Sequence, residues 1–314
     1  MSNKRILITG AGGFLGSHLT RRLHREGHRL AVLASPRFDP RRLGDLAGEL
    51  RVFHADLTSA SSVAEVVARV QPELVYHLAS TPFNPPPAEA ATHWHVIAGG
   101  TFHLLEALRG SRARLVYTGS AAEYGSGSGL TEDSPLRPAT MLGVAKAAAS
   151  LLVQTYARLV EMETVVLRLF TPYGPWESPA RLIPYTVLQA LHGQPVRLGG
   201  GSQQRDFVYI DDVIDALMRA GFGDLPPAAV FNISSGQGRP VREVAAAVLE
   251  IMGNPVPLET GTREDRSDEI RECSGDNTRA RVRLGWEPGT SLAEGLRRTI
   301  EWFRENPQWA ASSR

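Results

Sequence analysis

The turn between the first predicted strand and the first predicted helix constrains this sequence more than any other feature. Residues 4–9 form a short apolar run that is typical of a buried parallel strand, and residues 10–16 then read GAGGFLG. Leu15, Leu19 and Leu23 follow at the spacing of one helix face. This order of strand, glycine-rich turn and helix predicts the opening unit of a doubly wound α/β fold.

The glycines of this turn stand where a bound pyrophosphate needs them. Gly10 permits the tight turn, Gly13 lets a phosphate approach the backbone, and Gly16 allows the helix and the strand to pack closely. Phe14 and Leu15 begin the helix, whose free N–H groups and positive dipole end attract anions. The sequence therefore predicts a dinucleotide-binding site at this turn.

Composition narrows the class of protein further. With 314 residues the chain can bury one large core or two unequal ones, and its net charge of +1 gives no sign of nucleic acid or an anionic membrane as a partner. No apolar run reaches about 18 residues, and no signal peptide is evident. The single cysteine, Cys273, excludes an internal disulfide and fits a reducing compartment. We therefore expect a cytoplasmic protein without a membrane segment.

Strands and helices alternate through the first half of the chain. Such alternation predicts an α/β fold, a Rossmann-type parallel sheet that is covered on both faces and binds ligands at the carboxyl ends of its strands. The predicted strands span residues 4–9, 29–34, 50–54, 73–78, 113–118 and 163–169.

The second half of the chain has shorter elements, with more proline, glycine and clustered charge. We expect a dinucleotide-binding domain at residues 1–170, to which residues 207–234 return. A smaller α/β substrate-binding domain is expected from residues 171–206 and 235–310. The low-complexity patch GSGSG at residues 125–129 predicts a mobile loop beside the site.

Lysine usage singles out one residue. Of the 34 lysine and arginine residues, only Lys4 and Lys146 are lysine. The sequence thus favours arginine wherever lysine and arginine are interchangeable. Because Lys146 is nevertheless a lysine, its position is predicted to need a compact ammonium group.

Several further motifs resemble one family over nearly the whole chain. These motifs are residues 55–57 (ADL), 76–80 (YHLAS), 168–175 (RLFTPYGP), 205–212 (RDFVYIDD), 231–233 (FNI) and 284–286 (LGW). Together with the glycine turn they resemble the extended short-chain dehydrogenase/reductases, in particular the NAD-dependent nucleotide-sugar epimerase/dehydratase branch. The second half of the pattern implies a nucleotide diphosphate sugar, here a UDP-sugar, as the substrate.

The resemblance also implies a set of cofactor contacts. Beyond the glycine turn, these are Asp56, Leu57, Leu78, Ala79, Ser80 and Lys146. The end of the second strand does not decide between NAD and NADP, because no acidic residue stands there to bind the 2′-hydroxyl of NAD. Ser35 or Arg37 could instead meet the 2′-phosphate of NADP. The branch recycles one tightly held NAD in each turnover, and this favours NAD.

Substrate-binding side chains follow from the same resemblance. Arg205 and Arg266 match two positions that bind the diphosphate, a task suited to a guanidinium that stays charged and donates two parallel hydrogen bonds. Thr171 stands where the family usually has asparagine, so this hydrogen bond to the sugar phosphate is altered. Tyr185 is a further candidate for the wall of the sugar or uracil pocket.

The catalytic residues depart from the family pattern at one position. The family uses a serine or threonine after the fifth strand, matched by Ser120, and a Tyr-x-x-x-Lys motif whose lysine is matched by Lys146. Leu142 stands at the tyrosine position, and Met141 would point into the site if the helix began with a shifted turn. Neither side chain can titrate, so the group that takes the proton of the sugar hydroxyl is missing.

Three explanations for the missing tyrosine remain open. Another group performs the acid–base step, with Glu123, Tyr124 or a water held by Ser120 and Lys146 as candidates. Alternatively, the protein binds NAD and a sugar nucleotide without turnover. In the third explanation, the reaction tolerates a weaker proton shuttle.

Glu123 favours one reaction of the branch over the others. The 6-deoxysugar dehydratases of this branch carry an acid pair at the positions that Ala121 and Ala122 occupy here. Glu123 lies one residue later. Oxidation at C4 acidifies the C5 hydrogen, so one carboxylate could drive the loss of the C6 hydroxyl. We therefore expect a lyase that converts a UDP-N-acetylhexosamine to a 5,6-alkene (an exo-glycal), similar to the 5,6-dehydratases of tunicamycin-type antibiotic biosynthesis. A UDP-sugar 4-epimerase and a catalytically inactive binding protein are the alternatives.

Two expectations concern other partners. Helices near residues 88–108 and 143–160 match the pair that forms a four-helix homodimer interface in the family, and the second is rich in the small and apolar residues that close packing needs. His93, His95 and His103 share one helical stretch without an acidic residue or a cysteine at ligand spacing, so no metal site is expected.

Overall fold

The structure is a computed structural model that describes residues 3–35, 38–46, 48–81, 90–261 and 270–311. Its strands are β1 (Arg5–Thr9), β2 (Arg29–Ala34), β3 (Arg51–His54), β4 (Leu74–His77), β5 (Arg114–Ser120), β6 (Gly127–Leu130), β7 (Thr164–Leu169), β8 (Thr171–Tyr173), β9 (Val196–Arg197), β10 (Gln204–Tyr209), β11 (Ala229–Ile233), β12 (Gly238–Pro240), β13 (Leu258–Glu259) and β14 (Cys273–Gly275).

The α-helices lie between these strands. They are α1 (Phe14–Arg25), α2 (Ala60–Val70), α3 (Ala90–His93), α4 (Gly100–Leu108), α5 (Met141–Leu159), α6 (Leu182–Leu191), α7 (Ile210–Phe222), α8 (Val241–Ile251), α9 (Leu292–Glu305) and α10 (Gln308–Ala311). A π-helical segment, Trp94–Gly99, joins α3 to α4. Within the described ranges, none of the helices combines the length and the apolar character that a membrane crossing requires.

A single parallel sheet of seven strands forms the centre of the molecule. Its order is β11-β7-β5-β4-β1-β2-β3, and all six strands predicted from the sequence belong to it, with ends shifted by no more than two residues. The chain order reverses between β1 and β4, and folds of this kind bind ligands outside the carboxyl ends of the strands at that point. The predicted Rossmann-type sheet is confirmed.

Alternate side chains of the strands enter two apolar cores on opposite faces of the sheet. Ile6 and Ile8 of β1 pack in the first core with residues of α1 and α7, whereas Leu7 packs in the second core with residues of α2, α4 and α5. This alternation follows from the period of two in a strand, and each fully buried aliphatic side chain contributes about 1.5–3 kcal/mol. The sheet is therefore held from both sides, which leaves its carboxyl edge as the place where folds of this kind bind ligands.

Smaller sheets form in the second half of the chain. β10 pairs in parallel with β8 and antiparallel with β12, β9 pairs with β13, and α6 packs against α8 and α9. β11 instead pairs with β7 at one edge of the large sheet. The division into two domains given above remains a prediction.

The glycine-serine patch at residues 125–129 differs from its prediction. Gly127–Leu130 forms β6, which pairs in parallel with β14. Ser126 Oγ donates to the carbonyl oxygen of Glu272 at 3.1 Å, and the Gly129 backbone N–H donates to Ser274 Oγ at 3.3 Å. The prediction of a mobile loop was wrong because a strand more than 140 residues later supplies the hydrogen-bond partners.

Candidate active site

The turn between β1 and α1 lies at the carboxyl edge of the large sheet. Gly10 has a φ of 77°, and a Cβ added there would lie 2.7 Å from the backbone nitrogen of Ala79. A Cβ on Gly16 would lie 2.0 Å from the carbonyl oxygen of Gly10. Gly13 precedes α1 without a side-chain cap, so the first N–H groups of the helix can bind an anion. The turn therefore fits the pyrophosphate of a dinucleotide.

The other predicted cofactor residues follow two strands of the same sheet. They are Asp56 and Leu57 after β3, and Leu78, Ala79 and Ser80 after β4. Asp56 Oδ1 accepts hydrogen bonds from the backbone N–H and the hydroxyl of Thr58, each at 2.8 Å. The Ala79 N–H donates to Thr9 Oγ1 at 3.2 Å. Because β1, β3 and β4 run parallel, these segments share one edge of the sheet with the glycine turn.

Phe14 and Leu15 have a second role besides starting α1. Both side chains are half-buried and pack against the first core, which anchors the start of the helix whose N–H groups face the turn. Ser35 follows β2, whereas Arg37, the other candidate at the adenosine end, lies outside the described residues.

Arg42 is a residue near the glycine turn that the sequence analysis missed. Its Nη1 donates to the carbonyl oxygen of Gly12 at 3.2 Å, and its Nε donates to that of Trp176 at 3.1 Å. Its guanidinium carbon lies 4.7 Å from the ring centre of Trp309. Arg42 thereby ties the turn to the C-terminal part of the chain. No local motif indicates this, because Gly12 and Trp176 lie 30 and 134 positions away from Arg42 in the sequence.

Ser120 ends β5, and Lys146 lies in the second turn of α5. The ammonium of Lys146 donates to the carbonyl oxygen of Thr118 at 2.7 Å and lies 5.1 Å from the ring centre of Tyr117. Only 6% of Lys146 is exposed, and burial lowers the pKa of its ammonium to about 8. The structure thus holds a desolvated cation close to the end of β5.

Leu142 fills the place of the expected tyrosine. The helix begins at Met141, and Thr140 Oγ1 caps it by accepting a hydrogen bond from the Gly143 N–H at 3.0 Å. Leu142 packs against the second core, whereas Met141 is 46% exposed. Neither side chain carries a proton that it could exchange with a substrate.

Glu123 is enclosed by other groups of the protein. Its side chain is 0% exposed, and Oε1 accepts hydrogen bonds from the Ser120 N–H and from Ser150 Oγ, each at 2.8 Å. Oε2 lies 2.9 Å from Arg168 Nε. Burial raises the pKa of Glu123, and the Arg168 guanidinium opposes this rise. Because the carboxylate is enclosed by protein groups, we withdraw the assignment of Glu123 as the base at C5.

Tyr124 belongs to the same enclosed network. Its hydroxyl donates to Asn232 Oδ1 at 2.7 Å and accepts a hydrogen bond from Arg168 Nη1 at 2.8 Å. Burial raises the pKa of Tyr124 to about 12. The phenol thus has protein groups as partners, and its role as a replacement for the missing tyrosine remains a prediction.

The substrate-side residues lie in the second half of the chain. Nη1 of Arg205 donates to the carbonyl oxygen of Ile270 at 2.6 Å. Arg266 lies outside the described residues. Thr171 begins β8 and is half-buried, and the hydroxyl of Tyr185 accepts a hydrogen bond from a backbone N–H of β9 at 3.2 Å. Their contacts with a substrate remain predictions.

The parallel sheet, the uncapped helix behind a glycine turn, and a buried lysine beside the end of β5 define a dinucleotide-dependent oxidoreductase-type fold. Comparison with known proteins agrees. The model of the NAD dependent epimerase/dehydratase family matches residues 6–233. A UDP-glucose 4-epimerase of Mycolicibacterium smegmatis is 32% identical over 320 residues, which cover 97% of this chain and 100% of the relative.

Solved structures are similar over nearly their full length. The UDP-glucose 4-epimerase of Thermotoga maritima with UDP-glucose superposes with a TM-score of 0.89 at 27% identity, covering 96% of this chain and 99% of the other. MoeE5 in complex with UDP-glucuronic acid and NAD gives a TM-score of 0.85 at 32% identity, with the same coverage of both chains.

The chain belongs to the NAD-dependent epimerase/dehydratase family, a branch of the extended short-chain dehydrogenase/reductases. The relatives named above act on or bind sugar nucleotides, and the predicted family and the predicted cofactor NAD are confirmed.

Proposed function

We propose that the protein interconverts the C4 epimers of a UDP-hexose through transient oxidation at C4. The relatives that support this are a UDP-glucose 4-epimerase and a protein that binds UDP-glucuronic acid together with NAD. The observation that carries the choice among the family's reactions is the enclosure of Glu123, the one carboxylate of residues 121–130, which leaves none of that segment for chemistry at C5.

Dehydration requires catalytic groups that C4 epimerisation does not require. It needs groups that remove the C5 proton and protonate the leaving C6 hydroxyl, and the positions of the family's acid pair hold Ala121 and Ala122. Epimerisation requires only that hydride leaves C4 and returns to its other face. We therefore place 5,6-dehydration of a UDP-N-acetylhexosamine, the reaction expected from the sequence, behind 4-epimerisation.

In this proposal the chain binds the cofactor and the UDP-sugar, orients the C4 oxygen, and exchanges a proton with it. NAD, when bound, accepts the hydride of C4 and gives it back. The N–H groups at the start of α1 bind the cofactor pyrophosphate, and Ser120 hydrogen-bonds the C4 oxygen. Arg205 and Arg266 bind the UDP diphosphate, because a guanidinium matches phosphate geometry and stays charged.

The test uses the purified holoenzyme in deuterated buffer with UDP-glucose, UDP-galactose, UDP-N-acetylglucosamine and UDP-glucuronic acid. Mass spectrometry and proton NMR should find an isomer of unchanged formula, inverted at C4 and without deuterium at C5. Loss of one water would overturn the proposal in favour of dehydration. Unchanged substrates throughout would overturn it in favour of binding without turnover.

A further inference from the structure

Oxidation at C4 requires an acceptor for the hydroxyl proton, and Leu142 stands where the family has its tyrosine. Two of the candidate replacements, Glu123 and Tyr124, have their polar atoms bound within the protein and are 0% and 2% exposed. The remaining candidate is a water held by Ser120 and Lys146, which lie at the end of β5 and in the second turn of α5.

Lys146 is held by one carbonyl group and keeps hydrogen-bond donors for a ligand. Among the described residues, its ammonium donates to Thr118 alone, and no salt bridge joins it to a carboxylate. An ammonium has three donors, so two of them remain for bound groups. Because burial lowers the pKa of Lys146 to about 8, about a tenth of the lysine is neutral at pH 7. A neutral amine is a base.

Ser120 carries a hydroxyl group that can hold an oxygen atom at the end of β5. Its Oγ accepts a hydrogen bond from the Ala122 N–H at 3.1 Å, which leaves the hydroxyl hydrogen free to donate. Ser120 lies two residues beyond Thr118, so its hydroxyl and the carbonyl group that binds the amine stand close together in sequence at the end of one strand.

We propose that Lys146 itself takes and returns the proton of the C4 hydroxyl, while Ser120 holds that oxygen, so that the lysine replaces the family's tyrosine as the acid–base group. This inference rests on the proposed oxidation at C4. In the forward step the O–H bond breaks and its proton goes to the neutral amine. The C4–H electron pair leaves as hydride for NAD, and a carbonyl forms at C4. On return, hydride adds to C4 and the ammonium protonates the oxygen.

The first test asks whether the reaction needs only the positive charge of Lys146 or also its ability to exchange a proton. Lys146→Arg keeps the positive charge but cannot deprotonate, so it should lower the single-turnover rate of cofactor reduction about 10²–10⁴-fold. The substrate is whichever UDP-sugar of the panel above reacts. Lys4→Arg changes the only other lysine of the chain and should leave the rate unchanged. The wild-type rate should rise with pH and level off above about 8.

The second test observes the lysine directly in the wild-type holoenzyme. With two lysines in the chain, labelling the ε-carbon of lysine with ¹³C gives two side-chain signals, and Lys4 serves as the internal reference. The Lys146 signal should titrate with the same midpoint as the rate of cofactor reduction. This comparison does not depend on any variant folding or binding NAD.

The outcomes separate this inference from the proposed function. If sugar nucleotides are oxidised but Lys146→Arg keeps more than about a tenth of the rate, the lysine is not the base, although C4 oxidation stands. A kinetic midpoint that differs from the Lys146 titration would overturn the inference in the same way. If no sugar nucleotide of the panel reduces the cofactor, the proposed function fails and the inference fails with it.

Discussion

Glu123 and Arg168 form an ion pair from which water is excluded, since their side chains are 0% and 4% exposed. Arg168 extends the network to the hydroxyl of Tyr124, which in turn bonds Asn232. Because a buried charge that loses its partner stays desolvated, such a pair is costly to break even when its net contribution is small. At this scale Glu123 is a structural residue that supports the end of β5 through the Ser120 N–H.

Replacing Glu123 by alanine should lower the free energy of unfolding by about 3–5 kcal/mol, because Arg168 would be left buried and uncompensated. Urea unfolding followed by circular dichroism measures this change. Glu65→Ala is the matched control, since its ion pair with Arg69 is exposed and should contribute little. Deuterium uptake at C5 by the wild-type protein that is lost in a Glu123→Gln variant of unchanged stability would contradict this and restore a catalytic role.

The residues of the site differ in whether the neighbouring sequence alone could identify their roles. Ser120 and Lys146 could be proposed from the sequence because each belongs to a short motif placed on one strand or one helix. The partner of Glu123 could not, because Arg168 reaches it through the pairing of β5 with β7, where Gly119 lies beside Arg168. A carboxylate reads the same in a sequence whether it faces a substrate or an arginine.

At the scale of elements, the β1–α1 unit depends on close contact between its backbone segments. A Cβ on Gly16 would overlap the carbonyl oxygen of Gly10, and the turn would have to open. We expect Gly16→Ala to weaken NAD binding by at least about tenfold, equal to about 1.4 kcal/mol. Isothermal titration with NAD measures this affinity.

The matched control for this variant is Gly44→Ala. Gly44 has helical backbone angles, and the nearest atom to a Cβ there is 3.8 Å away, so the added methyl should change little. If Gly16→Ala binds NAD as tightly as Gly44→Ala, the turn does not require glycine at this position.

Elements differ in how well they could be predicted. The six strands of the large sheet were predicted closely because their buried apolar runs are local signals. β6 was missed because glycine and serine have low strand propensity, and β14 supplies its partners from a distant part of the chain. Tertiary pairing overrides local propensity where a strand has little apolar surface of its own.

At the scale of the whole molecule, the helices from Trp94 to Leu108 and from Met141 to Leu159 present apolar side chains to solvent. Trp94, Phe102, Leu151 and Leu159 are all exposed, and Phe102 contacts Tyr156 of the other helix edge to face at 6.5 Å. Exposed apolar surface of this kind marks an interaction face. It supports the homodimer expected from the sequence, which remains a prediction.

If these helices form the dimer interface, Leu151→Glu should shift the protein toward the monomer, because it would bury a charge between the subunits. Sedimentation velocity over a range of concentrations measures the change. Val282→Glu is the control, since Val282 is also exposed, at 72%, but lies outside this face. A wild-type protein that sediments as a monomer throughout would rule out the homodimer.

By itself, the sequence determined the doubly wound sheet, the dinucleotide turn and the positions of Ser120 and Lys146. Each of these depends on neighbours within one β–α unit, where apolar periodicity and glycine geometry act locally. The tertiary structure alone decided that Glu123 pairs with Arg168, that Arg42 ties down the glycine turn, and that residues 127–130 form a strand. Those outcomes depend on which distant segments become neighbours, and burial then determines whether a polar group is a partner within the fold or is free to react.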